Sequence, residues 1–145
     1  MSSSTAPTPS AASTAHELRV LVGQLVRRVR QQDALSVGQT AVMGHLDRHG
    51  AMTTSDLAAA QKVRPQSMAA TVGELAALGY VERAPHPTDR RRTLIVLSAE
   101  GRTALGQDRR RREDWLVSSI EAELSPREQA TLVEALELVR RLVER

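Results

Sequence analysis

Residues 63–97 read VRPQSMAATVGELAALGYVERAPHPTDRRRTLIVL, and the order of signals in this stretch decides the fold. The pattern predicts a helix over residues 65–78, strands over 80–84 and 93–97, and a loop over 85–92 between them. Pro65 suits the first helical position, where its missing N–H costs nothing. Met68, Val72 and Leu75 recur at i, i+4 and i+7, so they share one buried stripe. Gly79 follows Leu78, where a left-handed C-terminal cap is needed. The other face carries Gln66, Ser67, Ala70, Gly73 and Glu74, small and polar enough to lie close against a partner surface. The loop is longer than the two to five residues usual in a hairpin, so it must protrude. Pro85 and Pro87 stiffen it, and Asp89 stands where it can hold the guanidinium of Arg91 in one direction. A stiff finger tipped with Arg90, Arg91 and Arg92 suits phosphates and a narrow minor groove. A charge run alone reads as a solvated turn; helix, glycine, hairpin and arginine tip in succession point instead to nucleic acid.

Upstream, Thr53 precedes a short helix over residues 54–60, with Leu57 pointing inward. A turn over 61–64 joins it to the helix just described, and two helices so joined make a helix-turn-helix. Ser36 and Gln39 form a capping box for a helix that runs to His49 and ends at Gly50. Thr14 and Glu17 form another, opening a helix whose residues Leu18, Leu21, Val22, Leu25, Val26 and Val29 make a broad apolar stripe to about Arg30. That stripe is wide enough to face a second chain as well as its own core. Residues 1–13 are Ser, Thr, Ala and Pro with little apolar surface, and a disordered tail is expected there.

Downstream, Ser98 caps a long helix reaching about Ala122. Its middle reads Asp108-Arg109-Arg110-Arg111-Arg112-Glu113-Asp114. Consecutive positions spread around a helix, so this is read as a solvated face whose arginines pair with acids at i+3 and i+4. Trp115, Leu116 and Ile120 supply the apolar side. Ser125, Pro126 and Glu128 then give cap, N1 proline and N3 acid to a last helix. Its residues Leu132, Leu136, Val139 and Val143 run at near-heptad spacing, as in helices that pack on another helix in cis or in trans.

Composition excludes several classes. The 145 residues suffice for one domain with an oligomerisation extension, and the net charge is +3. Lys62 is the only lysine, so the basic side chains are almost all arginine. Cysteine is absent, which excludes disulfides, thiolate metal sites and thiol redox sensing. No signal-peptide pattern and no membrane-length apolar run is visible, and a soluble cytoplasmic protein is expected. With no Phe, the core is expected to be Leu, Val and Ala. His45 and His49 stand at i and i+4, a spacing that can bind zinc, but Leu46 sits where the metalloprotease signature needs Glu and no third ligand is evident. They are read as ordinary histidines. No serine elbow, glycine-rich phosphate loop or metal triad is present, so neither an enzyme nor a cofactor is expected.

Residues 75–83 (Leu-Ala-Ala-Leu-Gly-Tyr-Val-Glu-Arg) and 89–101 (Asp-Arg-Arg-Arg-Thr-Leu-Ile-Val-Leu-Ser-Ala-Glu-Gly) together resemble the MarR-type regulators, the multiple antibiotic resistance regulator family. The resemblance runs from about Thr14 to the end. It implies a mainly α fold with a small β-hairpin wing: a winged helix-turn-helix (35–98) between an N-terminal dimerisation helix (14–34) and C-terminal dimerisation helices (99–145). Leu18, Leu21, Leu25, Leu132, Leu136 and Val139 are the expected dimerisation residues. The resemblance makes residues 65–78 the recognition helix, and matches Asp89 and Arg91 to the wing's Asp-x-Arg pair, whose arginine enters the minor groove. It further implies a homodimeric repressor of palindromic promoter sites, released by a small aromatic or lipophilic ligand bound between the dimer helices and the DNA-binding lobe. Trp115 and Tyr80 are the only aromatic side chains for such a pocket, and Trp115 is the candidate.

One departure concerns the recognition helix. Ala69, Ala70 and Glu74 stand where family members often carry a hydroxyl or basic residue. Gln66 remains to read adenine, Ser67 is permissive, Ala70 fits a thymine methyl and Arg64 can reach phosphate. Specificity is therefore expected to lean on the wing and on DNA shape. The same departure keeps a protein-interaction module without DNA as the alternative.

Overall fold

The computed structural model describes residues 10–145. In chain order it comprises α1 (Ala11–Arg30), α2 (Val37–His49), β1 (Met52–Thr53), α3 (Thr54–Gln61), α4 (Pro65–Ala77), β2 (Val81–Pro85), β3 (Thr93–Leu97), α5 (Ala99–Glu123) and α6 (Pro126–Val143). The first nine residues of the expected tail lie outside the described ones. The rest of that stretch is helical: Ser10 caps α1, its side chain accepting from the Ser13 backbone N–H. The cap thus lies four residues before the expected Thr14. Ala11 and Ala12 are strong helix formers and let the earlier serine win.

The remaining helix starts follow their local chemistry. Ser36 with Gln39 and Ser125 with Glu128 close the expected capping boxes. Thr53 makes a further one with Asp56. In α4, Met68, Val72 and Leu75 are all buried, and Gly79 beyond its end takes the left-handed φ of 76°.

The sheet holds one strand more than expected. β1 pairs antiparallel with β3, Met52 opposite Ile95, so the order is β1-β3-β2. The β2–β3 hairpin runs in register from Val81 opposite Leu97 to Pro85 opposite Thr93. Pro85 therefore ends a strand on the sheet edge, where its missing N–H is tolerated.

The core joins α2, α3, α4, the sheet and the first third of α5. Met43 and Met68 are among its largest fully buried side chains, with Ile95. The expected Leu, Val and Ala core is thus completed by unbranched methionines, which fill irregular space where no Phe is available. By contrast, α1 and α6 bury no residue fully in the single chain.

Candidate nucleic-acid interface

The loop between β2 and β3 is built by its own side chains. His86 Nδ1 accepts from the backbone N–H groups of Thr88 and Asp89, at 3.3 and 3.1 Å. Asp89 Oδ1 accepts from the Arg91 backbone N–H at 3.0 Å. The carboxylate therefore holds the backbone of Arg91, not its guanidinium as the sequence suggested. A two-residue separation reaches the main chain easily, in the manner of an Asx turn. The guanidinium is left to solvent: Arg90 and Arg91 are exposed and form no ion pair among the described residues.

Arg92 behaves differently. Its guanidinium turns back to the base of the wing, donating to Thr53 Oγ1 at 3.3 Å and lying 3.6 Å from Asp56. The capping bonds with Thr53, then the charge of Arg92, hold the Asp56 carboxyl below its ordinary range. One acid thus caps α3 and tethers the wing. Arg91, Arg92, Thr54 and Ser55 line one polar cleft between the wing and the start of α3.

Helix α4 has an open N-terminus. Arg64 is its N-cap residue but makes no side-chain cap bond, and Pro65 removes one donor. Arg64, Gln66, Ser67, Ala69, Ala70 and Glu74 are all exposed. Glu74 has a partner within the fold: its carboxylate accepts from Gln39 Nε2 at 3.1 Å. The same Gln39 closes the capping box of α2. Glu74 therefore braces α4 against α2.

The arginine run of α5 is exposed at Arg109, Arg110 and Arg111, as a solvated face would be, but its inner edge is not. Asp108 is completely buried and pairs with Arg111. Arg112 pairs with Asp33 at 2.7 Å and Arg109 with Asp47 at 3.1 Å. Asp108 and Arg111 are thus one pair at the expected i, i+3 spacing, while Asp33 and Asp47 are distant in sequence, and periodicity carries no sign of those two. Beside them lies a polar chamber of about 220 Å³ lined by Arg30, Asp33, Thr40, Arg48 and Arg112 among others, where Thr40 Oγ1 and Arg112 Nη2 are buried without partners.

Trp115 lines a second, larger cleft of about 440 Å³ with Leu25, Leu116, Ile120, Leu132 and Leu136. Three expected dimerisation residues thus meet the expected pocket residue. Leu18 and Val139 share a neighbouring cleft, while Leu21 stays exposed at 54%.

His45 and His49 stack with ring centroids 5.9 Å apart. Desolvation, then the charges of Arg48 and His49, push the His45 imidazole below its ordinary value. No group of three or more potential metal-binding side chains occurs among the described residues. No helix among them is long and apolar enough to cross a membrane.

A helix-turn-helix followed by an arginine-tipped β wing defines a winged-helix DNA-binding protein. Residues 35–92 match the model of the MarR family. An uncharacterized HTH-type transcriptional regulator of Mycobacterium leprae is 37% identical over 114 residues, 77% of this chain and 80% of the relative. An HTH-type transcriptional regulator of Mycobacterium tuberculosis is 36% identical over 138 residues, 93% of this chain and 96% of the relative. Among solved structures, a protein of Pseudomonas aeruginosa assigned as a transcriptional regulator aligns with a TM-score of 0.77 and 37% identity, covering 96% of this chain and 99% of that one. Staphylococcus aureus MepR bound to an oligodeoxyribonucleotide aligns at 0.71 with 17% identity, over 90% of this chain and 97% of that one, a likeness of fold. The chain belongs to the MarR family: it is a DNA-binding transcriptional regulator and not an enzyme.

Proposed function

We propose that this regulator acts in the cytoplasm as a homodimeric repressor, gripping palindromic promoter sites with two wings and two α4 helices. The observation that carries the reading is the wing tip. Its loop is hydrogen-bonded into one shape, Arg92 is tied to the base, and Arg90 and Arg91 project without an acidic partner. Free guanidinium groups on a rigid support suit a narrow minor groove and its flanking phosphates. The N–H groups at the open start of α4, with Arg64, suit a backbone phosphate and seat the helix in the major groove. Gln66, Ser67 and Ala70 then face base edges. Asp89 serves as the loop's brace, and Glu74 as the helix's.

A two-fold partner is supported by the apolar faces of α1 and α6. Leu21, Val22, Leu25 and Val26 on α1 and Val133, Leu136, Leu138 and Leu142 on α6 are each 43–65% exposed. Faces of this kind are ordinarily covered by another surface. With two lobes so joined, half-sites about one helical turn apart are expected. A small aromatic or lipophilic effector would enter the cleft beside Trp115, whose walls are shared with the dimer helices, and release the DNA by shifting them.

Fluorescence anisotropy of the DNA upstream of the gene, against a scrambled duplex at two salt concentrations, tests the reading. Tight, salt-sensitive binding with preference for the native duplex is expected. A stable dimer that binds neither duplex would overturn it in favour of a protein-interaction module.

A further inference from the structure

We infer that Asp108 is the residue that sets the spacing between the two DNA-binding lobes, and so between the half-sites this regulator accepts. The inference rests on the dimeric reading above. Among the described residues the chain passes between the lobe and the terminal helices at two places: the α1–α2 linker (residues 31–36) and the middle of α5. The first third of α5 belongs to the lobe, since Ala104 and Leu105 are in its core. The part from Trp115 onward lines the cleft with Leu25 and Leu132.

Asp108 stands between these parts and joins both crossings. One carboxylate oxygen accepts from the Ala34 N–H at 3.1 Å, the other from the Leu35 N–H at 3.4 Å. Arg111 supplies the countercharge on the same helix. Just outside, Arg112 holds Asp33 of the linker, and Arg109 holds Asp47 of α2. A fully buried carboxylate is costly unless its oxygens are satisfied, and here the linker backbone satisfies them. Any swing of the lobe about the two crossings must pull the linker off α5 and strip that buried carboxylate of both backbone donors, leaving it Arg111 alone. The clasp therefore admits one angle, and in a two-fold dimer one angle means one distance between lobes. No contact to DNA is needed, so Asp108 is a positioning residue.

The probe is the symmetric duplex recovered by selection from random DNA with the wild-type chain, together with versions carrying one or two base pairs added or removed at its centre. Wild type is expected to lose about an order of magnitude in affinity for each shifted duplex, a loss comparable to one wrong base pair. In Asp108→Asn, the charge is removed and an amide donor meets the linker donors. Its ratio between selected and shifted duplexes is expected to fall to within about threefold of unity, while sedimentation still shows a dimer. Should Asp108→Asn not fold, Asp33→Ala loosens the same linker from a more exposed position and is expected to flatten the profile partly. The exchange Asp33→Arg with Arg112→Asp is then expected to sharpen it again. A folded, dimeric variant series with the wild-type spacing profile overturns the inference alone. A wild-type chain that sediments as a monomer, or selects no symmetric site, overturns the dimeric reading and the inference with it.

Discussion

Gly101 sits where the first turn of α5 crosses the carbonyl of Tyr80, and a Cβ built there runs into that carbonyl and its carbon. The backbone of Tyr80 cannot retreat, because its carbonyl also accepts from the Ser98 N–H at 3.0 Å. Gly101→Ala is therefore expected to destabilise the chain by about 1–3 kcal/mol, as forced overpacking does, read as a lower denaturant midpoint; an unchanged midpoint would mean that α5 can shift freely. This constraint explains why a glycine three residues after a serine cap belongs to the sequence pattern that carried the family resemblance. Other residue roles were not legible. Asp108 looked like one acid in a charged run, because burial of a charge is decided by what lies opposite it. Here that is the backbone of a linker more than seventy positions earlier. Glu74 looked like a misplaced DNA contact for the same reason, its partner Gln39 lying on another helix.

Elements with local signals were read closely. The caps at Ser36, Ser98 and Ser125, the Gly79 stop and the α4 stripe all came from adjacent residues, and adjacent residues determine them. Strand β1 has two residues and exists because β3 offers it an edge, so nothing local announces it. Helix α3 ties this edge to the wing through Asp56. Its carboxyl is depressed by the bonds from Thr53 and then by Arg92, so its stabilising effect is fully present above the unfolded value of about 3.9. That effect is lost as pH falls through the lower folded value. The stability difference between wild type and Asp56→Asn is expected to shrink across that window. Chemical denaturation at a series of acid pH values measures it, and a difference that stays constant to the lowest pH would exclude the carboxylate as the cause.

At the scale of the molecule, a tightly cored lobe is carried by two terminal helices with no fully buried residue of their own. The wide stripe of α1 and the near-heptad stripe of α6 were visible in sequence; which parts of them meet was not, since spacing gives a face but not its neighbour. Leu25, Leu132 and Leu136 meet around Trp115. Placing a charge in that cleft, as Leu136→Glu, is expected to shift the chain to a monomer in sedimentation and to weaken operator binding together with it. A variant that remains dimeric would move the interface elsewhere.

In the proposed complex the wing, more than α4, carries DNA affinity. Titrating one labelled upstream duplex with wild type, Arg91→Ala, Arg64→Ala and Gln66→Ala at two salt concentrations separates the two elements. Arg91→Ala is expected to lose most, about tenfold or more, and its salt dependence to fall by about one phosphate contact. Arg91→Ala binding with wild-type affinity, while Gln66→Ala or Arg64→Ala does not, would place the affinity in α4 instead.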